Sequence, residues 1–132
     1  MTREFDVVLV GGCGHVGLPL GVALSSKKLR VALYDISSES VAAVNSGRAP
    51  FFEPGLDPML REVLSESLIV ATEDPTVVSR SSSVIVIIGT PVDEHQNPES
   101  HKVLDAVQDL VGRMTNDQHL MQYHISGYNG FN

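Results

Sequence analysis

The stretch "FDVVLVGGCGHVGLPLG" near the start of the chain narrows the fold more than any other feature. Residues 5–10 are β-branched and nearly all apolar, the pattern of a strand buried on both faces of a parallel sheet. Glycines follow at once, and then a helical pattern begins. Gly12, Gly14 and Gly17 make G-x-G-x-x-G between strand and helix. A glycine-rich loop alone signals only a tight βα turn. Between a buried strand and a helix, each glycine acquires a reason. Gly12 permits the tight turn, Gly14 lets the backbone approach a pyrophosphate, and Gly17 allows close packing of helix on strand. The N–H groups of the first helical turn, near His15 and Val16, would then face the phosphates.

The rest of the chain repeats the alternation. "RVALYD" (30–35) reads as a second strand, and "SSESVAAVNSG" as a short helix with Gly47 as its stop. "DPMLREVLSES" is a helix that Asp57 can cap, with Pro58 at its first position. "LIVAT" is strand three, "DPTVVSRSS" repeats the Asp-Pro helix start, and "SVIVII" (83–88) is strand four. In the first helix Val16, Leu20, Ala23 and Leu24 fall at helical spacing. Val103, Leu104, Val107, Leu110, Val111 and Met114 form a 3.6-residue stripe in a later one. Strands alternating with helices mean βαβ units and right-handed crossovers. The fold class is therefore α/β, a Rossmann-type parallel sheet in the order 3-2-1-4-5 with helices on both faces. The segment "QHLMQYHISGYNGFN" lacks a buried-strand run and reads as a poor fifth strand or a tail. The division expected is 1–117 for the dinucleotide-binding domain and 118–132 for a diverged C-terminal strand or tail.

Asp35 ends strand two, 18 residues beyond Gly17. A carboxylate there can accept both ribose hydroxyls of an adenosine and would repel a 2′-phosphate. No arginine immediately follows it, which favours NAD over NADP. A carboxylate at that point can also cap the next helix, but the spacing favours the ribose. His15 could touch a phosphate or simply face solvent at the helix start. Cys13 is the only cysteine. A helix N-terminus lowers a thiol pKa, yet a small buried residue suits this position better than a nucleophile does. One cysteine excludes an internal disulfide framework and points to a reducing cytoplasm.

The chain has 132 residues and a net charge of −7. Without a basic cluster it lacks the face that nucleic acid or an anionic membrane would need. No apolar run approaches the ~20 residues of a membrane span. His119 and His124 lack carboxylate company, which argues against a metal site.

Two long loops remain. "GRAPFFEPGLD" (47–57) lies in a crossover, and "GTPVDEHQNPES" (89–100) leaves strand four beside the glycine loop. That is the switch-point crevice where ligands bind in open α/β sheets. Thr90 offers a hydroxyl to a cofactor there, and Pro91 stiffens its presentation. Asp93 and Glu94 could orient a sugar hydroxyl or be solvated loop acids.

"GCGHVGLPLG", "YD", "FFEPGLDPML" and "GTPVDEHQNP", in that order, resemble the N-terminal NAD-binding domain of the nucleotide-sugar 6-dehydrogenases. "GTPVDE…NP" is most similar to the branch acting on N-acetylated UDP-sugars, such as UDP-N-acetylmannosamine. The resemblance covers about residues 5–115. It implies oxidation of a nucleotide sugar's C6 alcohol to a carboxylate, with two hydride transfers to NAD. It implies that Gly12, Gly14, Val16 and Gly17 hold the pyrophosphate, Asp35 the ribose, and Thr90 the cofactor at the sheet edge. Many members carry a basic residue where this chain has Ser40. The family's second oxidation uses a cysteine thiohemiacetal with lysine and asparagine partners from a central helix and a second domain. The chain matches none of these, and its end reads as truncated before them. No catalytic residue is therefore expected here. A nucleotide sugar is expected as a partner only if those domains are supplied. The open sheet edge points to a homo-oligomer. A stand-alone NAD-sensing module would share the glycine loop and Asp35 but not "EPGLD" or "GTPVDE". An inactive protein that binds a partner through its sheet edge is the third reading.

Overall fold

The computed structural model describes residues 3–90 and 118–126. The elements run β1 (Phe5–Val10), α1 (Gly17–Ser26), β2 (Val31–Tyr34), α2 (Ser38–Asn45), α3 (Leu56–Ser65) and β3 (Ile69–Thr72). A 3-10 turn (Pro75–Val77), β4 (Ser81–Thr90) and β5 (His119–Ser126) follow. The helical stripe expected at 103–114 lies outside the described residues.

All neighbouring strands are parallel, in the order β3-β2-β1-β4-β5. The order reverses between β1, which leads to β2, and β4, which leads to β5. The crevice at this reversal opens at the carboxyl ends of β1 and β4. Each face of the sheet has its own core. Val7, Leu9, Val31 and Leu33 face α1 and α3, where Leu18, Val22, Leu60 and Val63 close over them. Val8, Val10, Ala32 and Tyr34 face the other way, beside Val84 and Val86 of β4, in one cluster with Val77 and Val78. Two-sided burial is why β1 and β2 read as continuous apolar runs. The segment from 118 supplies a strand, with His119 beside Ser83 and Ser126 beside Thr90.

Two local expectations are corrected. The buried side of α1 is Gly17, Leu18, Gly21, Val22 and Ser25, while Ala23 is exposed and Leu20 and Leu24 are half-buried. The helix lies on the sheet along its small residues. A Cβ on Gly21 would sit 2.7 Å from Leu33 Cδ2 and 3.0 Å from Leu9 Cδ1. Close approach, not apolar spacing, sets the contact line. Asp57 does not cap α3, and Pro58 is not its first residue. The helix begins at Leu56 behind Gly55, because buried Leu56 draws the first turn into the core. The Asp57 carboxylate instead accepts the Ala49 N–H at 3.0 Å and ties down the preceding loop.

At α2 the Gly47 stop holds, and the cap is Ser37 and not Asp35. Ser37 caps α2 by accepting the Ser40 N–H. Gly47, at φ +89°, ends it, with Gly47 N–H donating to Val44 O and Arg48 N–H to Ala43 O. Asn45, at the end of α2, turns its carboxamide onto the edge strand β3. Its Nδ2 donates to Ala71 O at 2.8 Å, and its Oδ1 accepts the Ala71 N–H at 2.9 Å.

Candidate functional site

The site grows from the turn between β1 and α1. Gly11 N–H and Gly12 N–H both donate to Tyr34 O, at 2.9 and 3.0 Å, and this draws the turn to the end of β2. The left-handed residue of the turn is Gly11, at φ +83°, and not Gly12 as the motif predicts. A Cβ on Gly11 would lie 2.8 Å from Ile87 O, so side chains are excluded there twice over. Gly12 is small for another reason: a Cβ there would sit 2.8 Å from both Leu33 Cβ and Leu9 O. Gly17 packs the helix start onto the turn, with no room before Gly11 O and Gly12 Cα.

Gly14 differs from these. A Cβ there would meet only Gly11 O, at 3.8 Å. Among the described residues nothing requires glycine at 14. The position faces open space beside the start of α1. That helix has no side-chain cap at Val16 and no acidic residue in its first turn. Leu18 and Leu20 N–H groups begin the helical ladder on Gly14 O and Val16 O. An uncapped, acid-free helix start against a bare backbone position suits a diphosphate, because its orphan N–H groups carry partial positive charge.

Asp35 stands beside this turn. Its Oδ2 accepts the Cys13 N–H at 3.0 Å and its Oδ1 accepts the Ser37 N–H at 3.1 Å. It is therefore not the cap of α2, a role that Ser37 fills. A carboxylate has about four acceptor sites, so each oxygen keeps one for a further donor. Ribose hydroxyls are donors of that kind. Ser40 is absorbed into the cap, with its Oγ accepting from Ser37 Oγ at 3.1 Å.

Cys13 is 2% exposed, and its thiol is pushed up to about 12, first by burial and then by the charge of Asp35. At neutral pH it stays protonated and is no nucleophile. His15 is exposed, and its ring stacks on Phe51 with centroids 4.2 Å apart and planes 25° apart. Thr90 ends β4, next to β1 at the crevice, and Ser126 lies opposite it on β5. Pro91, Asp93 and Glu94 lie outside the described residues. Among the described residues no group of three His, Cys, Asp or Glu is placed to hold a metal. No described helix is long and apolar enough to cross a membrane.

Gly11 and Phe51 belong to the turn's construction, and neither stands out in the motif. The Gly11-Gly12 doublet was the available signal for the first. The second had none, since an aromatic in a crossover loop does not announce which ring it meets.

The UDP-glucose/GDP-mannose dehydrogenase family, NAD binding domain, matches residues 6–123. The UDP-N-acetyl-D-mannosamine dehydrogenase of Campylobacter jejuni is 32% identical over 96 residues, which cover 71% of this chain and 23% of that protein. The NDP-N-acetyl-D-galactosaminuronic acid dehydrogenase of Ralstonia nicotianae is 29% identical, over 73% of this chain and 22% of its own. The solved UDP-D-ManNAc dehydrogenase of Pyrococcus horikoshii superposes on 90% of this chain and 28% of its own, with a TM-score of 0.79 at 27% identity. The chain thus spans roughly a quarter of the length of these relatives.

Proposed function

The chain belongs to the UDP-glucose/GDP-mannose dehydrogenase family and carries its NAD-binding domain, and on that premise we propose that it is the cofactor half of an enzyme oxidising the C6 alcohol of a nucleotide sugar. The observation that carries this reading is the bond from Cys13 N–H to the Asp35 carboxylate at 3.0 Å. It holds a carboxylate directly against the glycine turn, where a ribose would need its acceptor. One extended dinucleotide can then use both at once.

In this reading Gly12, Gly14, His15, Val16 and Gly17 border the diphosphate. Asp35 takes the adenosine ribose, and Thr90 and Pro91 border the nicotinamide side of the crevice. NAD, when bound, supplies the hydride acceptor. The chain's own residues bind and orient it. Asp35 also favours NAD over NADP, because a 2′-phosphate would meet its negative charge. The substrate class we propose is a nucleotide sugar, and relatives named for N-acetylated sugars favour that subclass. Cys13 takes no covalent role, because a thiol held near 12 is protonated at neutral pH. The 132-residue chain by itself is expected to form no NADH with UDP-glucose, UDP-N-acetylmannosamine or GDP-mannose. A homo-oligomer formed through a sheet edge would avoid β3 at Ala71, whose outward N–H and C=O are taken by Asn45.

The test is calorimetric titration of the chain with NAD and with NADP. NAD should bind and NADP should bind at least tenfold more weakly. Asp35→Asn keeps an oxygen for one backbone N–H and removes the charge. It should weaken NAD about tenfold, as loss of a charge-assisted hydrogen bond does. Equal affinity of the native chain for both cofactors, or no NAD binding, would overturn the reading.

A further inference from the structure

Phe51 sits in the crossover between α2 and α3, far along the chain from the glycine turn, yet its ring lies against His15. Three contacts fix the loop that carries it. Arg48 N–H closes onto Ala43 O at the end of α2. Ala49 N–H donates to the Asp57 carboxylate at 3.0 Å. Leu56 N–H donates to Glu53 O at 3.1 Å, and Leu56 itself is buried. Phe51 is also packed against the core formed by α1, α3 and the sheet. One end of the contact is therefore anchored in the hydrophobic core. The other end is the exposed ring of His15, a residue between Gly14 and the start of α1.

An exposed histidine in a glycine-flanked turn has several open rotamers, and ordering it on ligand binding costs side-chain entropy. Stacking on an anchored ring removes that freedom beforehand. Phe52, next in the chain, is 89% exposed and makes no such contact among the described residues, so the stack is a property of position 51 and not of an aromatic-rich loop.

We propose that Phe51 is a positioning residue for cofactor binding: through the stacked ring of His15 it holds the outer side of the glycine turn in the conformation that receives a dinucleotide's diphosphate. The α2–α3 crossover is then part of the cofactor site, although none of its residues belongs to the glycine motif. This rests on the NAD-binding reading given above.

The experiment is a double-mutant cycle in NAD affinity, with melting temperature measured on every variant. Phe51→Leu keeps apolar packing against the core and removes the flat ring. It should weaken NAD about fivefold in the native background and change it less than twofold in a His15→Ala background. Phe51→Tyr should restore the native affinity. Phe51→Leu acting equally with and without His15, or not acting at all while the native chain binds NAD, overturns this inference alone. Absence of NAD binding by the native chain overturns the parent reading as well. Should Phe51→Leu melt below the assay temperature, the same cycle is run with Phe51→Met, which fills similar space without a flat ring, and an equal effect with and without His15 again overturns the inference.

Discussion

Two glycine-bearing loops meet at the His15–Phe51 stack, and crowding bears on their glycines unequally. In the turn from Gly11 to Gly17, glycine is demanded by what lies around it. Backbone of β1, β2 and β4 closes on Gly11 and Gly12, and Gly17 lies on the turn itself. In the crossover, Gly55 has nothing within 4 Å of where its Cβ would be, and only its φ of +81° calls for glycine. Crowding demands glycine at 11, 12 and 17, with Gly11 left-handed as well, whereas at Gly55 the backbone angle acts alone. Gly14 fits neither description. Among the described residues neither crowding nor backbone angle explains it, and the open space beside it is what the proposed diphosphate would use.

The sharpest way to break this contrast is Gly17→Ala. Helix propensity favours alanine by about 1 kcal/mol. A Cβ 2.8 Å from Gly12 Cα has only backbone to push against, and overpacking of that kind costs about 3 kcal/mol. The clash wins, and thermal melting should fall by roughly 10 °C. A variant as stable as the native chain would show that the turn is not packing-limited. Gly14→Ala should do the reverse. Its melting temperature should stay within about 2 °C of native, while NAD affinity in the calorimeter drops at least tenfold. Normal affinity would return Gly14 to the status of a spacer. Gly55→Ala comes next, at about 1 kcal/mol for a left-handed residue, with Gly55→Asn costing less. Equal losses in urea melts would mean that hidden crowding, not φ, governs that site.

The smallest effect supplies a baseline outside both loops. Asp6 accepts from the Arg30 guanidinium and from Arg30 N–H, which hold its carboxyl below the ordinary 3.8. A depressed folded pKa stabilises above the unfolded value and is lost as pH falls through the folded one. Asp6→Asn should therefore lower the melting temperature slightly at pH 7 and not at all well below pH 3.8. A difference that persists in acid would assign the effect to shape and not to charge.

The parallel sheet could be read from residues because strands alternate with helices and two-sided burial writes itself as mainly apolar runs in β1 and β2. The glycine turn could be read because the strand before it and Asp35 after it restrict what the glycines do. The buried face of α1 could not be read. Apolar spacing pointed to Ala23, while the helix settles on Gly17, Gly21 and Ser25, and smallness leaves no periodic hydrophobic trace. Asp57 looked like a cap because its residue type suits one. Burial of Leu56 moved the helix start and left the carboxylate to the loop. The Phe51 contact joins residues 36 positions apart and depends on how α2 and α3 pack. No local pattern encodes it.

Asn45 has a consequence for how this sheet can grow. A strand at an edge offers its outward amides and carbonyls as a template, and any chain that matches the spacing can extend it. At Ala71 that template is already occupied by a carboxamide, which imitates one peptide unit of an incoming strand and then stops. Imitation of this kind works as a chain terminator does in polymerisation. It satisfies the growing end with a monomer that has no next reactive group. One side chain at the end of α2 thus terminates the template at Ala71, in the middle of the β3 edge.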